Sequence, residues 1–160
     1  MKYIKLTKGK FAKVDDSDFE QVNQFRWFYV GDDCRKGYAE RKQANGKYKQ
    51  KVIRMHRFIC DAPPEFHVDH INGDTLDNRR ENLRLCTRSQ NLMNRGMPSS
   101  NTSGYKGVSR SKDCKKWRAQ VKFEGATIYL GMFDTAKDAA VAYNETALKY
   151  HGSFAKLNVI

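Results

Sequence analysis

The sequence predicts an α+β fold built from two small units, and three observations carry that expectation. Short strand-like runs separated by turn residues occupy the first third of the chain. A strand–loop–strand–helix unit follows between Val68 and Arg95. Beyond a stretch rich in Gly, Pro and Ser, three further strand-like runs precede one helix whose buried stripe is mostly alanine. The expected boundaries are residues 1–95 for the first unit, 96–103 for a linker and 104–160 for the second.

Residues 1 to about 55 read as short strands. "YIKLTKG" and "KFAKVD" flank a glycine turn, and "GYAERKQ" and "KYKQKVIRM" flank Ala44-Asn45-Gly46. Asn-Gly supplies the positive φ values of a tight hairpin. "MHRFICDA" fits one or two helical turns, stopped by Pro63-Pro64, since proline removes a backbone donor and clashes with the preceding turn. "VDH" ends a strand, "INGDTLDN" is a loop in which Gly73 permits a tight turn, and "RRENLRLC" contains a short return strand. Thr87 with Gln90 forms the T-x-x-Q pattern that opens a helix, and Gly96 closes it.

Residues 96–104, "GMPSSNTSG", have linker composition. After them, "YKGVSR", "KWRAQVKF" and "ATIYLGMF" read as strands. In the second, Trp117, Ala119, Val121 and Phe123 alternate with Arg118, Gln120 and Lys122, which puts apolar residues on one face and long polar ones on the other. Thr135 and Asp138 form a capping box. Ala136, Ala139, Ala140, Tyr143, Ala147 and Tyr150 then recur at helical spacing, and Gly152 ends the helix.

Net charge is +12 and the sequence pI is about 9.6. That balance points to an anionic partner, most often nucleic acid, although ribosomal or membrane-surface proteins share it. No apolar run is long enough to span a bilayer, and "MKYIKLTKGK" lacks the apolar region of a signal peptide. The expected location is therefore the cytoplasm. Cys34, Cys60, Cys86 and Cys114 are widely spaced with no C-x-x-C pair, so neither structural zinc nor a disulfide framework is expected.

Within "VDHINGDTLDNRRENLRLCTRSQNLMNR" a carboxylate, an imidazole and carboxamides are concentrated among arginines. Asp69 and Asn91 supply two hard oxygen donors, which suit one Mg²⁺ or Mn²⁺ rather than zinc. His70 can take a proton from water near neutral pH. Asn82 is placed either to hold the loop or to orient the imidazole. Arg79, Arg80 and Arg84 could face phosphate. A metal, a base and arginines are the requirements of phosphodiester hydrolysis. The same residues also suit a turn laced with salt bridges around a core histidine.

The stretch resembles the HNH endonuclease motif of the phage and homing-endonuclease branch. Asn82 follows His70 by twelve residues, Asn91 follows Asp69 by twenty-two, and "LDNRRENLR" matches the middle of the motif. The resemblance covers roughly residues 50–95. It implies a ββα-metal module in which His70 is the general base, Asp69 and Asn91 bind one divalent metal, and Asn82 helps orient the base. The last histidine of the motif name is Asn91 here, which still offers an oxygen but disfavours softer metals. The upstream "MHRFIC" also fits, with His56 structural or DNA-facing.

Residues 104–123 carry Lys106, Arg110, Lys112, Lys115, Lys116, Arg118 and Lys122 against one acid, Asp113. A basic sheet face suits a phosphate backbone, and a sheet can enter the major groove and read base edges. "YKGV", "LGMFDTAKDAAVAYN" and "FAKLN" resemble the Apetala-type (ethylene-response-factor) DNA-binding domain, a three-stranded antiparallel sheet backed by one helix. By position, that resemblance implies DNA contacts from Lys106, Arg110, Gln120, Lys122, Thr127 and Tyr129, to which strand alternation adds Arg118. Ser109 and Thr127 stand where the family has arginine, so a different target is expected. Together the two resemblances imply a monomeric, site-directed endonuclease of double-stranded DNA, free-standing and homing, from a phage or bacterium. The alternatives are a DNA-binding regulator with an inactive nuclease module, and a nonspecific nuclease.

Overall fold

The N-terminal chain doubles back at once. β1 (Lys2–Lys5) and β2 (Phe11–Val14) pair antiparallel, Lys2 opposite Val14, across a turn in which Lys8 and Gly9 take positive φ. The computed structural model describes residues 1–32, 35–46 and 49–160. Contacts group these into two compact units, Met1–Thr87 and Arg88–Ile160. The division falls ahead of the expected one, because the helix starting at Arg88 groups with the second unit.

In the first unit, α1 (Asp16–Asn23) occupies a segment expected to contain only strands. It is eight residues long and mostly polar, so no apolar period announces it. Asp16 and Asp18 in its first turn complement the positive end of the helix dipole, and Val22 is buried. β3 (Phe28–Asp32), β4 (Arg35–Ala44) and β5 (Gln50–Arg54) then form an antiparallel sheet in that order. The Asn45-Gly46 hairpin joins β4 to β5 as expected, with Ala44 opposite Gln50 and Gly46 at φ 80°. Cys34, Lys47 and Tyr48 lie outside the described residues.

α2 (Met55–Ile59) is the expected short helix before the prolines. β6 (His67–His70) pairs antiparallel with β7 (Leu83–Cys86), and a 3-10 turn at Arg80–Asn82 leads into β7. Ile4, Leu6, Ala12, Val14, Val22, Trp27, Ala39, Met55, Ile59, Val68 and Leu83 form one core beneath these elements. A single bridge from Lys13 to Asp77 ties β2 to the loop between β6 and β7.

The second unit begins with α3 (Arg88–Asn94). The expected linker is hydrogen-bonded into this unit. Asn101 Oδ1 accepts from the Ser103 and Gly104 backbones, and Ser103 Oγ lies within hydrogen-bond distance of the Tyr105 and Val108 carbonyls, at 3.0 and 2.9 Å. β8 (Val108–Arg110), β9 (Trp117–Phe123) and β10 (Ala126–Phe133) form an antiparallel sheet with β9 central. α4 (Ala136–His151) lies on one face, its start capped as expected by Thr135 Oγ1 accepting from Asp138 N at 3.1 Å. Ala139, Ala140, Tyr143 and Ala147 are buried against Val108, Ala119 and Val121; Tyr150, expected on that stripe, is 37% exposed.

Cys60, Cys86 and Cys114 are free thiols, and burial pushes Cys86 up to about 11. No helix among the described residues is long and apolar enough to cross a membrane.

Candidate active site

Strand pairing decides which residues of the motif meet. On β6, Asp69 sits opposite Arg84 and His70 opposite Leu83. Asp69 is 6% exposed, and Arg84 donates from Nε and Nη2 to its Oδ2 at 2.9 and 2.7 Å. A charge-assisted pair of this kind offsets part of the cost of burying the carboxylate.

His70 is 5% exposed and lies inside a group of rings. The His56 ring, from α2, meets it edge-on at 5.0 Å between centroids, and the Tyr38 ring, from β4, lies 6.2 Å away. Tyr38 also touches His56 at 5.4 Å. The Nε2 of His70 is 3.5 Å from Asn78 Oδ1. Burial lowers the His70 pKa, against opposing pulls from the Asn78 bond and from Asp69, Asp74 and Asp77. The neutral imidazole, the form a base requires, is thereby favoured.

Asn82 is hydrogen-bonded into the loop. Its Oδ1 accepts from the Asn72 backbone at 2.9 Å and its Nδ2 donates to the Asp77 carbonyl at 2.8 Å, so it braces the loop between β6 and β7. Asp77, 1% exposed, accepts from Asn72 Nδ2 and from Arg79 Nε and Nη2. Two members of the site, Asn78 beside Asp77 and Tyr38 forty residues before it, escape a reading of the sequence. Tyr38 lies outside the motif, and Asn78, though within "LDNRRENLR", is not one of its spaced Asp, His and Asn positions.

Arg79 and Arg80, expected to face DNA, are engaged inside the first unit. Arg79 grips Asp77 and also Glu81. Arg80 donates from Nε and Nη2 to Asp18 at 2.8 and 2.7 Å, and from Nη2 to the Ile59 carbonyl. Asp18 is 4% exposed, so Arg80→Ala leaves a buried carboxylate without this partner. The expected loss is about 1–3 kcal/mol of stability, read as a lower urea midpoint. An unchanged midpoint would mean that the pair is not structural.

Acid should also destabilise this unit. Burial, followed by the charge of His70, holds His56 down to about 3. The folded state thus keeps His56 neutral while the unfolded chain protonates near 6.5. Between those limits the unfolded state binds the extra proton, so stability falls as pH drops, by about 1.4 kcal/mol per unit. Urea midpoints at pH 7.5 and 5 should differ by about 2 kcal/mol more in the wild type than in His56→Phe. Equal differences in the two proteins would remove His56 as the cause.

Asn91 lies half-buried on α3, within the second unit. No group of three or more His, Cys, Asp or Glu able to hold a metal forms among the described residues.

In the second unit the pairing register gathers five of the expected DNA contacts. Lys122 lies opposite Thr127 and Gln120 opposite Tyr129, with Arg118 further along β9 opposite Met132 and Ser109. Alternation puts all of these on the face away from α4. Arg118, Lys122, Thr127 and Tyr129 are exposed and Gln120 is half-buried. Two expected contacts fall elsewhere. Arg110 shares the side of buried Val108, and its guanidinium lies over the Trp117 ring at 5.6 Å. Lys106 is half-buried, its ammonium donating to the Met93 carbonyl, and burial lowers it to about 8.

Fold and site thus describe a mixed α+β protein with a buried aspartate–histidine pair on a β-hairpin and a basic sheet face in a separate unit. A family model described as "HNH endonuclease" matches residues 55–93. Over 159 residues the chain is 32% identical to "Uncharacterized HNH endonuclease L560" of Acanthamoeba polyphaga mimivirus, covering 96% of this chain and 77% of that one. It is 37% identical over 116 residues to "Protein 3.8" of Escherichia phage T7, covering 68% of this chain and 95% of the relative. Over 83 residues it is 34% identical to "Dehydration-responsive element-binding protein 2D" of Arabidopsis thaliana, covering 51% of this chain and 40% of that one. No solved structure matches. The chain belongs to the HNH endonuclease family.

Proposed function

We propose that the protein is a site-directed endonuclease of double-stranded DNA. The observation that carries the reading is the β6 strand itself, where a buried imidazole held neutral adjoins a buried carboxylate in a family of endonucleases. His70 takes the proton of the attacking water. Asp69 and Asn91 would hold one Mg²⁺ or Mn²⁺, since a carboxylate and a carboxamide form a hard oxygen donor set with no soft ligand. Such an ion supplies charge stabilisation at the scissile phosphate and its leaving oxygen. Arg84 fixes the Asp69 carboxylate from the neighbouring strand.

The sheet of the second unit finds the site, in the manner of an Apetala-type domain; its similarity to plant factors of that kind supports this. A cutting unit joined to a site-finding unit suits a free-standing homing enzyme, and the viral relatives are in keeping with a phage source. The test is incubation with plasmid and Mg²⁺ followed by a gel. Discrete products support the reading. A smear indicates a nonspecific nuclease, and intact plasmid with retained binding indicates a regulator.

Two neighbours on the open sheet face should differ in effect. Lys122→Ala removes a charge that faces phosphate, so binding should weaken about equally on all sequences, with a shallower salt dependence. Gln120→Ala removes a base-edge reader and should cost about 1–3 kcal/mol on the preferred site alone. Gel shifts on specific and random duplexes across a salt series separate the two. Identical behaviour of both variants would dismiss the division of roles.

A further inference from the structure

We infer that Asn78, rather than Asn82, sets the tautomer of His70, making Nε2 the protonated nitrogen and Nδ1 the basic one. The inference rests on the nuclease reading for its catalytic consequence but not for its chemistry.

An asparagine carboxamide presents an acceptor at one end and donors at the other, and the network decides which end faces which partner. Asn78 is 1% exposed and therefore has little freedom. Its Nδ2 lies 3.1 Å from the Leu76 carbonyl, which can only accept, so the nitrogen end must face Leu76. Its backbone N–H is fixed by the Lys13 carbonyl at 2.8 Å, which anchors it to β2. The oxygen end is then the one presented to the imidazole, and an oxygen can hold Nε2 only if Nε2 carries the proton. The other ring nitrogen keeps its lone pair. The Tyr38 and His56 rings pack against the imidazole and oppose its rotation. The Asn82 carboxamide is engaged elsewhere, its Oδ1 accepting from the Asn72 backbone and its Nδ2 donating to the Asp77 carbonyl. Asn78 is thus a positioning residue: it aims the proton-accepting nitrogen without touching substrate.

The bond is long at 3.5 Å, as is usual for catalytic hydrogen bonds before substrate tightens the site. Outer partners that fix a histidine tautomer commonly govern 10–100-fold in activity.

The test reads the ring directly. A long-range ¹H–¹⁵N spectrum of the full-length protein at pH 8 should show His70 as the Nε2–H tautomer. Asn78→Leu, equal in shape but without an acceptor, should shift His70 toward Nδ1–H or a mixture and lower kcat by about 10–100-fold with KM little changed. Asn78→Asp keeps an acceptor and should keep the Nε2–H signature. An Nδ1–H tautomer in the wild type overturns the inference, as does an unaltered His70 spectrum with normal kcat in Asn78→Leu. The wild-type spectrum stands even if the leucine variant fails to fold. If the spectra behave as stated but no DNA is cut, the nuclease reading fails and the tautomer assignment holds.

Discussion

His70→Ala is expected to lower the cleavage rate by about 10²–10⁴-fold while leaving DNA affinity near that of the wild type. The side chain removed is the base of the proposed reaction. It is 5% exposed at the end of β6, and the surface proposed to find DNA belongs to a different unit. The measurement is a single-turnover rate on a cut site, paired with a gel shift on the same duplex. Near wild-type turnover would end the assignment of His70. A matching loss of binding would mean that the substitution acts through folding, so the variant's urea midpoint belongs beside the rate. Asp69→Ala provides a contrast, since it removes both a proposed metal oxygen and the partner of Arg84.

Gly107→Ala should unfold the second unit at markedly lower urea. Gly107 sits at φ 76°, and a Cβ there would come within 2.1 Å of the Tyr143 ring and 2.7 Å of the Gln120 carbonyl. Tyr143 is 2% exposed between β9 and α4, so it has no room to move. The left-handed backbone costs a side chain about 1–2 kcal/mol, and overpacking adds about 1–3. Gly125 is the internal control: its φ is 81°, but nothing lies within 4 Å of its Cβ position. Gly125→Ala should therefore show only the backbone cost. Equal midpoints for the two variants would mean that the close approach to Tyr143 does not limit stability. The same geometry helps the sheet lie near the helix, since alanines on α4 and a glycine in the turn before β8 present little bulk where the two meet.

Several of these features were legible in the sequence. The Asn-Gly hairpin and the Thr135 cap are local chemistry, fixed by residues a few positions apart, whereas α2 ends at Ile59, ahead of Pro63-Pro64, where Asp61 turns the chain at φ 43°. The alternation in β9 was legible for the same reason, since burial of one face writes a period of two into the strand. α1 escaped because eight mostly polar residues carry no period, and its place is set by Val22 in the core and by Arg80 gripping Asp18 from sixty-two residues away.

By itself, the sequence determined which chemical groups this protein carries. They are the Asp69-His70 pair, the carboxamides that follow at fixed spacing, and the basic residues of the second unit. Only the tertiary structure decided what those groups touch. Arg79 and Arg80 look like phosphate ligands in a line of text, yet buried Asp77 and Asp18 claim them, because a desolvated carboxylate demands a nearby cation. Asn82 and Asn78 are the same residue type four positions apart, yet one braces the loop and the other meets His70. Arg110 and Arg118 are equally basic, but strand register turns one over Trp117 and the other onto the open face. Spacing along a chain sets the order of side chains, whereas direction and burial arise from pairing between segments distant in sequence.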